Sequence, residues 1–302
     1  MNQKYLILIV GPTAIGKTKT SIALAKHFSS EIISADSRQF YKEMNLGTAV
    51  PSLQELEEVP HHFIQHLSVN ENYNVGEYET EALQLIDQKF KQLDLLFLVG
   101  GSGLYIDAVE KGLDYFPEVS PEIRKELQKA FLEKGIYSLQ EKLKILDSEY
   151  YKKVDLNNAH RLIRALEVCI GTGKPYSYFL GKKVNERNFN VIKIGLNAER
   201  EFLYHRINKR VDQMMEKGLL EEAKKLYEKK YLNALQTVGY KELFAYLDKE
   251  SNLNQAVEEI KKNTRRYAKR QMTWLRKDKN IEWFEHDEDL NKIIDYIKLK
   301  TS

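Results

Sequence analysis

The stretch Leu6-Ile7-Leu8-Ile9-Val10-Gly11-Pro12-Thr13-Ala14-Ile15-Gly16-Lys17-Thr18 decides the fold. Its second part completes the pattern G-x-x-x-x-G-K-[ST]. It lies between a continuous apolar run and a helix-like segment, Lys19 to Phe28. A glycine-rich turn in that setting lets successive backbone N–H groups converge on one anion while the next helix presents its positive end. Residues Gly11, Pro12, Thr13, Ala14, Ile15, Gly16, Lys17 and Thr18 are therefore the candidate diphosphate cradle. Lys17 adds a mobile charge, and the Thr18 hydroxyl is placed to hold Mg²⁺. The motif specifies a diphosphate or triphosphate without naming the molecule behind it, so nucleotide and ATP binding are expected at this level.

Two further apolar runs extend the pattern. Glu31 to Ala35 is a short β-type segment ending at Asp36, and Leu95 to Val99 ends at Gly100-Gly101. Continuous apolar strands alternating with helical segments, the second of them Gly76 to Leu93, predict an α/β fold with a P-loop NTPase-like parallel sheet core. Ligands of such folds bind beyond the carboxyl ends of the strands, where Asp36 and Ser102 would face the phosphate turn. After Leu113 the texture becomes helical and rich in Lys and Glu. Asn157 or Asn158 is a candidate cap for the helix carrying His160, and Gly171 or Gly173 a candidate end. Asn190 to Leu196 alternates like a strand, and Ile281 to Phe284 is again β-type. The expected organisation is a first part of the core over 1–113, a mainly helical insertion over 114–188, and core completion with a basic helical C-terminal region over 189–302.

Composition narrows the class. The 302 residues are 42% hydrophobic and 30% charged, enough to bury a substantial core as a globular protein. Tyr5 to Val10 runs straight into the glycine turn and reads as a first strand, not a signal peptide. No window approaches the length of a membrane span. Cys169 is the single cysteine, which excludes an internal disulfide; between Val168 and Ile170 it reads as a small buried side chain. The cytoplasm is the expected location. Net charge is only +3, but nine basic residues lie between Lys261 and Lys279 against the single acid Asp278. That run is a candidate footprint for a phosphate backbone, or else a solvated helix face. The adjacent His61 and His62 cannot easily share one metal ion, and a structural or loop role is expected for them.

Phosphoryl-transfer enzymes usually carry an acid at the end of a second core strand to help hold Mg²⁺. Here the most apolar strand ends in glycines, and the acid follows Glu31 to Ala35 instead. Asp36-Ser37-Arg38-Gln39 sets a carboxylate, a hydroxyl, a guanidinium and an amide side by side at a strand end, where Asp36 can accept a proton from a polar ligand.

At this point the chain resembles the tRNA dimethylallyltransferases, also called tRNA isopentenyltransferases, over most of its length. The resemblance rests on GPTAIGKT (11–18), DSRQFYKEMNLGTAVP (36–51), VPHHF (59–63), GGSGLY (100–105), HRLIRALEV (160–168), VGYKE (238–242) and RRYAKRQMTWLR (265–276), in the family's order. It implies transfer of the dimethylallyl group from dimethylallyl diphosphate to N6 of the adenosine 3′-adjacent to the anticodon in tRNA, with release of diphosphate. It further implies Asp36 as the general base, Lys17 and an arginine of the helix after Glu199 on the diphosphate, and Mg²⁺ as cofactor. For that arginine, the R-I-x-x-R-x-x-x-M pattern favours Arg210 over Arg206.

The same resemblance places Asp36, Ser37, Arg38, Gln39, Ser102, Arg124, His160, Arg161, Leu162, Ile163, Arg164, Gln236, Gly239, Lys241, Lys269, Arg270, Gln271 and Arg276 against the tRNA anticodon loop. Tyr267 and Trp274 are expected to stack on bases or pack their own helix, Trp274 chiefly the latter. The protein is expected to be a monomer. Three positions depart from the family's pattern: Ser102 stands where threonine is usual, Phe40 where valine is common, and His160 where glutamine is common. The competing expectations are an adenylate isopentenyltransferase acting on free AMP, ADP or ATP, a small-molecule kinase, and a noncatalytic RNA-binding module.

Overall fold

A computed structural model describes residues 3–181 and 186–302. The chain divides into two compact units, one of Met1–Lys111 with Arg187–Ser302 and the other of Gly112–Glu186. The first unit is built on β1 (Tyr5–Val10), β2 (Ile32–Ser34), β3 (His61–His62), β4 (Leu95–Gly100), β5 (Asn190–Asn197) and β6 (Ile281–Glu285). They form one sheet in the order β3-β2-β4-β1-β5-β6, and each neighbouring pair is parallel.

Around the sheet run α1 (Lys17–His27), α2 (Leu53–Glu58), α3 (Val75–Lys89) and α4 (Gly103–Lys111). The second unit holds α5 (Pro121–Leu146), α6 (Ser148–Tyr151) and α7 (Ala159–Thr172). The first unit resumes with α8 (Arg200–Glu216), α9 (Leu219–Leu226), α10 (Tyr240–Leu247), α11 (Leu253–Leu275) and α12 (Leu290–Thr301). No helix among the described residues is long and apolar enough to cross a membrane.

The sheet forms because β1 is apolar on both faces. Leu6, Leu8 and Val10 enter one core cluster, while Tyr5, Ile7 and Ile9 enter the cluster on the opposite side. Each fully buried aliphatic side chain contributes roughly 1.5–3 kcal/mol relative to exposure, so this strand anchors both layers. Between clusters the register is fixed, with Tyr5 to Val10 paired against Leu95 to Gly100 on one side and Asn190 to Gly195 on the other. Phe40 lies fully buried and stacks on Tyr78 with ring centroids 5.3 Å apart, within a group that includes Tyr105 and Phe63. The larger ring therefore fills a packed aromatic cluster below Asp36-Ser37.

His61 and His62 form the edge strand β3, with His62 Nε2 2.6 Å from Glu31. Their role is structural: the ring ties the strand edge to an acid shared with Lys89. A two-residue strand carries no periodic signal, which is why the sequence reads it only as a block.

The second unit has its own core of Leu127, Leu139, Leu143, Leu162, Ile163, Ala165 and Leu166. α5 changes direction at Gly135, whose φ of 71° interrupts the helix. Asn158 caps α7 through the Arg161 N–H, and Gly173 in the left-handed conformation ends it. Cys169 is buried and accepts a 3.2 Å hydrogen bond from the Tyr176 N–H at its sulfur, and burial pushes its thiol pKa up. It is a packing residue, not a nucleophile.

Candidate active site

The phosphate turn leaves β1 and enters α1 at Gly16, whose φ of 114° suits a residue without Cβ. Ala14 holds φ 65°, a conformation that costs an L-residue roughly 1–2 kcal/mol. α1 has no side-chain cap and no acid in its first turn. Its leading N–H groups are thus left for an anion. Lys17 Nζ folds back onto the turn, donating to the carbonyls of Gly11 and Pro12 at 2.9 Å each.

Two cavities open beside this turn. One, of about 570 Å³, is lined by Ala14, Gly16, Lys17, Thr18, Gln39, Ala49, Val99, Phe202, His205, Arg206 and Lys209, among others. The second, of about 440 Å³, is lined by Ser37, Arg38, Gln236, Gly239, Lys241, Tyr267 and Arg270 together with an apolar wall of Ile207, Val211, Met214, Leu219, Val238 and Ile260. Thr13, Asp36, Thr48 and Arg210 line both. The carboxylate and one guanidinium therefore stand where a cationic chamber meets a mixed polar and apolar one.

The charges interact. Burial pushes Lys17 down to about 8; nearby Asp36 opposes this and Arg210 adds to it. For Arg210, burial disfavours the charge, Asp36 favours it, and Arg206 disfavours it. Arg206 also reaches the turn, since a Cβ on Gly16 would lie 4.0 Å from its Nη2. Both arginines of the pattern thus face the cationic chamber, and Arg210 is the one that borders both.

The Lys17 shift yields a prediction. An anion bound at the turn raises the lysine's pKa above its value in the empty site, so binding takes up a proton at high pH. Affinity for a diphosphate at this turn is therefore complete below about pH 8 and weakens as pH rises through that value, by up to about tenfold per unit. Calorimetric titration of inorganic diphosphate checks it. Lys17→Met flattens the profile; a flat profile in the unaltered protein contradicts the assignment.

The remaining site residues are held as follows. Asp36 accepts from the Arg38 N–H at 3.1 Å, which orients its carboxylate. Ser37 N–H donates to Ser102 Oγ at 3.2 Å, so the serine found at the usual threonine position keeps a working hydroxyl. Arg38 Nη1 donates to the carbonyls of Asn233 and Ala234, both at 2.9 Å. Gln236 and Lys241 are exposed and Gly239 buried on the rim of the second cavity, with Arg270 exposed across from them. Lys269 and Arg276 are exposed on α11 and at its C-terminus.

Several residues expected at RNA are engaged within the protein. Gln39 faces the cationic chamber and donates from Nε2 to the carbonyls of Thr48 and Ala49 at 3.3 and 3.1 Å. Gln271 is 7% exposed and has both ends of its amide engaged inside the protein. Leu162 and Ile163 are core residues of the second unit, because the apolar face of α7 packs on α5. In the same unit Arg124 Nε donates to Glu167 at 2.6 Å and Arg164 pairs with the same acid, while His160 and Arg161 are exposed. The side chains of Leu162 and Ile163 thus support the surface that His160 and Arg161 present.

The basic run also divides. Lys261 pairs with Asp212 and Glu258, Lys262 with Glu259, and Arg265 donates to Asn208. Lys269, Arg270, Arg276, Lys277 and Lys279 are exposed. Trp274 is half-buried against the core beside Gly103, as a packing residue would be.

One residue escaped the sequence reading. Glu222 accepts the backbone N–H groups of Asn45, Leu46 and Gly47 at 3.2, 2.8 and 3.0 Å, and the Tyr240 hydroxyl at 2.6 Å. It pins the loop that brings Thr48 between the two cavities. A lone glutamate on a charged helix carries no local signal of that task.

Comparison with known proteins gives this geometry a family. The model of the IPP transferase family matches residues 39–278. A tRNA dimethylallyltransferase of Christiangramia forsetii is 59% identical over 296 residues, covering 98% of both chains. One from Flavobacterium johnsoniae is 57% identical and covers 99% of each. Among solved structures, the full-length tRNA isopentenylpyrophosphate transferase of Bacillus halodurans superposes with a TM-score of 0.74 at 40% identity, covering 99% of this chain and 97% of that one. A eukaryotic dimethylallyltransferase captured acting on tRNA gives a TM-score of 0.77 at 28% identity over 94% of this chain and 74% of its own. With a family match across most of its residues and relatives this similar from end to end, the chain belongs to the tRNA dimethylallyltransferase (IPP transferase) family.

Proposed function

We propose that this protein transfers the dimethylallyl group of dimethylallyl diphosphate to N6 of the adenosine 3′-adjacent to the anticodon in tRNA, releasing diphosphate. The observation that carries the reading is the meeting of two cavities at Asp36 and Arg210. The cationic cavity suits the donor's diphosphate, and the mixed one suits an adenine drawn out of an RNA loop. A loop base is already unpaired, so extruding it costs only unstacking, a few kcal/mol.

In this reaction the N6 lone pair attacks C1 of the allyl group as the C1–O bond breaks, and the bonding pair leaves with the diphosphate. Lys17, Arg210 and the N–H groups at the start of α1 stabilise the charge that develops on the leaving oxygens. Asp36 takes the proton that N6 loses, keeping the amine nucleophilic although its lone pair is delocalised into the purine. Gln236, Lys241 and Arg270 border the chamber assigned to the base, while exposed Lys269 and Arg276 suit backbone phosphates. The lining fits a hard cation held chiefly by ligand oxygens: it offers the Thr18 hydroxyl and the Asp36 carboxylate, with no cluster of three acidic, thiol or imidazole ligands among the described residues. Mg²⁺ held there would add to the neutralisation of the diphosphate.

A kinase reading lacks its acid at the end of β4. Incubation with labelled dimethylallyl diphosphate and, in parallel, unmodified tRNA, AMP and ATP tests the proposal. Label is expected on tRNA alone. Label on free nucleotide identifies an adenylate enzyme instead, and binding of tRNA without transfer makes the protein a noncatalytic module.

A further inference from the structure

The end of β4 is crowded. A Cβ on Gly100 would lie 2.5 Å from the Ala35 carbonyl oxygen, and one on Gly101 would lie 2.1 Å from Gln271 Nε2. Of the glycines that stand where phosphoryl-transfer enzymes carry an acid, Gly100 lets β2 approach and Gly101 makes room for a side chain from α11. Gln271 enters that space buried, donating from Nε2 to the Gly101 carbonyl at 2.9 Å and accepting at Oε1 from the Thr13 N–H at 2.9 Å. Thr13 immediately precedes Ala14, the strained residue of the phosphate turn. One turn earlier on the same face of α11, Tyr267 lines the second cavity together with Asp36 and Ser37. The helix that supplies Ile260, Thr264, Tyr267 and Arg270 to the second cavity thus also grips the phosphate turn.

We propose that Gln271 is a positioning residue that holds the phosphate turn in its anion-binding conformation and, through α11, couples RNA occupancy of the second cavity to diphosphate affinity in the first. The proposal rests on the assignment of donor and acceptor to those two cavities. Coupling of this kind is reciprocal: whatever factor RNA applies to diphosphate binding, diphosphate applies to RNA binding. Gln271→Met keeps the volume of the side chain and removes both hydrogen bonds. Loss of the Thr13 and Gly101 contacts is expected to weaken the turn's grip by about tenfold.

The test is calorimetric titration of inorganic diphosphate into the full chain, with and without a saturating anticodon stem-loop RNA, for the unaltered protein and for Gln271→Met. In the unaltered protein the diphosphate Kd changes several-fold on adding RNA. In Gln271→Met it rises about tenfold without RNA, the RNA effect falls to near unity, and RNA affinity itself stays within about twofold. Unchanged diphosphate binding with the RNA effect intact overturns the proposal. So does a parallel loss of RNA affinity, which would make Gln271 a residue of general stability. An unaltered protein that binds RNA but no diphosphate refutes the cavity assignment itself, and the proposal with it.

Discussion

Asp36→Asn lowers the rate of dimethylallyl transfer by about 10²-fold or more while tRNA affinity stays within about twofold. The asparagine keeps the volume and one acceptor oxygen, so the hydrogen bond from the Arg38 N–H survives and the loop remains in place. What disappears is the only carboxylate among the described residues that borders both cavities, and with it the group able to take the N6 proton as the new C–N bond forms. The variant also removes a negative charge that favours protonation of Lys17 and Arg210. The Lys17 pKa therefore falls further in the variant, so donor saturation is established well below pH 8, where Lys17 stays charged and the remaining loss belongs to kcat. Single-turnover measurement with prebound tRNA reads this directly. Full activity in Asp36→Asn would remove the carboxylate from the mechanism.

Arg210→Ala carries the second large effect, a fall of about 10²–10³ in kcat, whereas Arg206→Ala costs about tenfold. The two residues are one helical turn apart on α8 and both face the cationic cavity. Arg210 alone of the two extends to the wall shared with the second cavity and lies close enough to Lys17 to perturb it. Charge that grows during C–O cleavage is stabilised most by donors already fixed in a water-poor place. Arg206, with its guanidinium over the Phe202 ring at 5.6 Å, sits on the outer part of the same lining. Arg210→Lys recovers only part of the loss, since a point charge does not reproduce the planar fork. An Arg206 variant more damaging than the Arg210 variant would assign the bridging charge to the other residue.

The phosphate turn was legible because its pattern is local: strand, glycine turn and helix follow one another without a break, and backbone geometry alone aims the N–H groups. Strands β1, β2 and β4 were legible for the related reason that burial on both faces writes itself as an apolar run, whereas β5 showed as alternation and β6 as a short β-type segment. Strand β3 was not, since two residues cannot display a period. Asp36 was legible from its place at a strand end. Its position between two cavities was not, because α8, α10 and α11 build the second cavity from residues distant in sequence.

Two polar residues of the expected RNA set are engaged within the protein. Gln39 and Gln271 lie in blocks that resemble RNA-contacting segments, yet both turn inward to satisfy backbone groups at crowded turns. Leu162 and Ile163 show the complementary case, where a segment assigned as a whole to RNA contains the apolar face that holds its own helix in place. The basic run from Lys261 to Lys279 reads as a single patch in sequence. In three dimensions its first part is answered by Asp212, Glu258 and Glu259, and its later part is exposed.

The most direct test of the central claim is a crystal structure with a non-hydrolysable thiolo analogue of dimethylallyl diphosphate and an anticodon stem-loop RNA. The account predicts the diphosphate on Gly11 to Thr18 beside Lys17, and the target adenine in the second cavity with N6 about 2.6–3.2 Å from the Asp36 carboxylate. An adenine seated in the Lys17 cavity, or an N6 out of reach of Asp36 with the diphosphate in place, would contradict it.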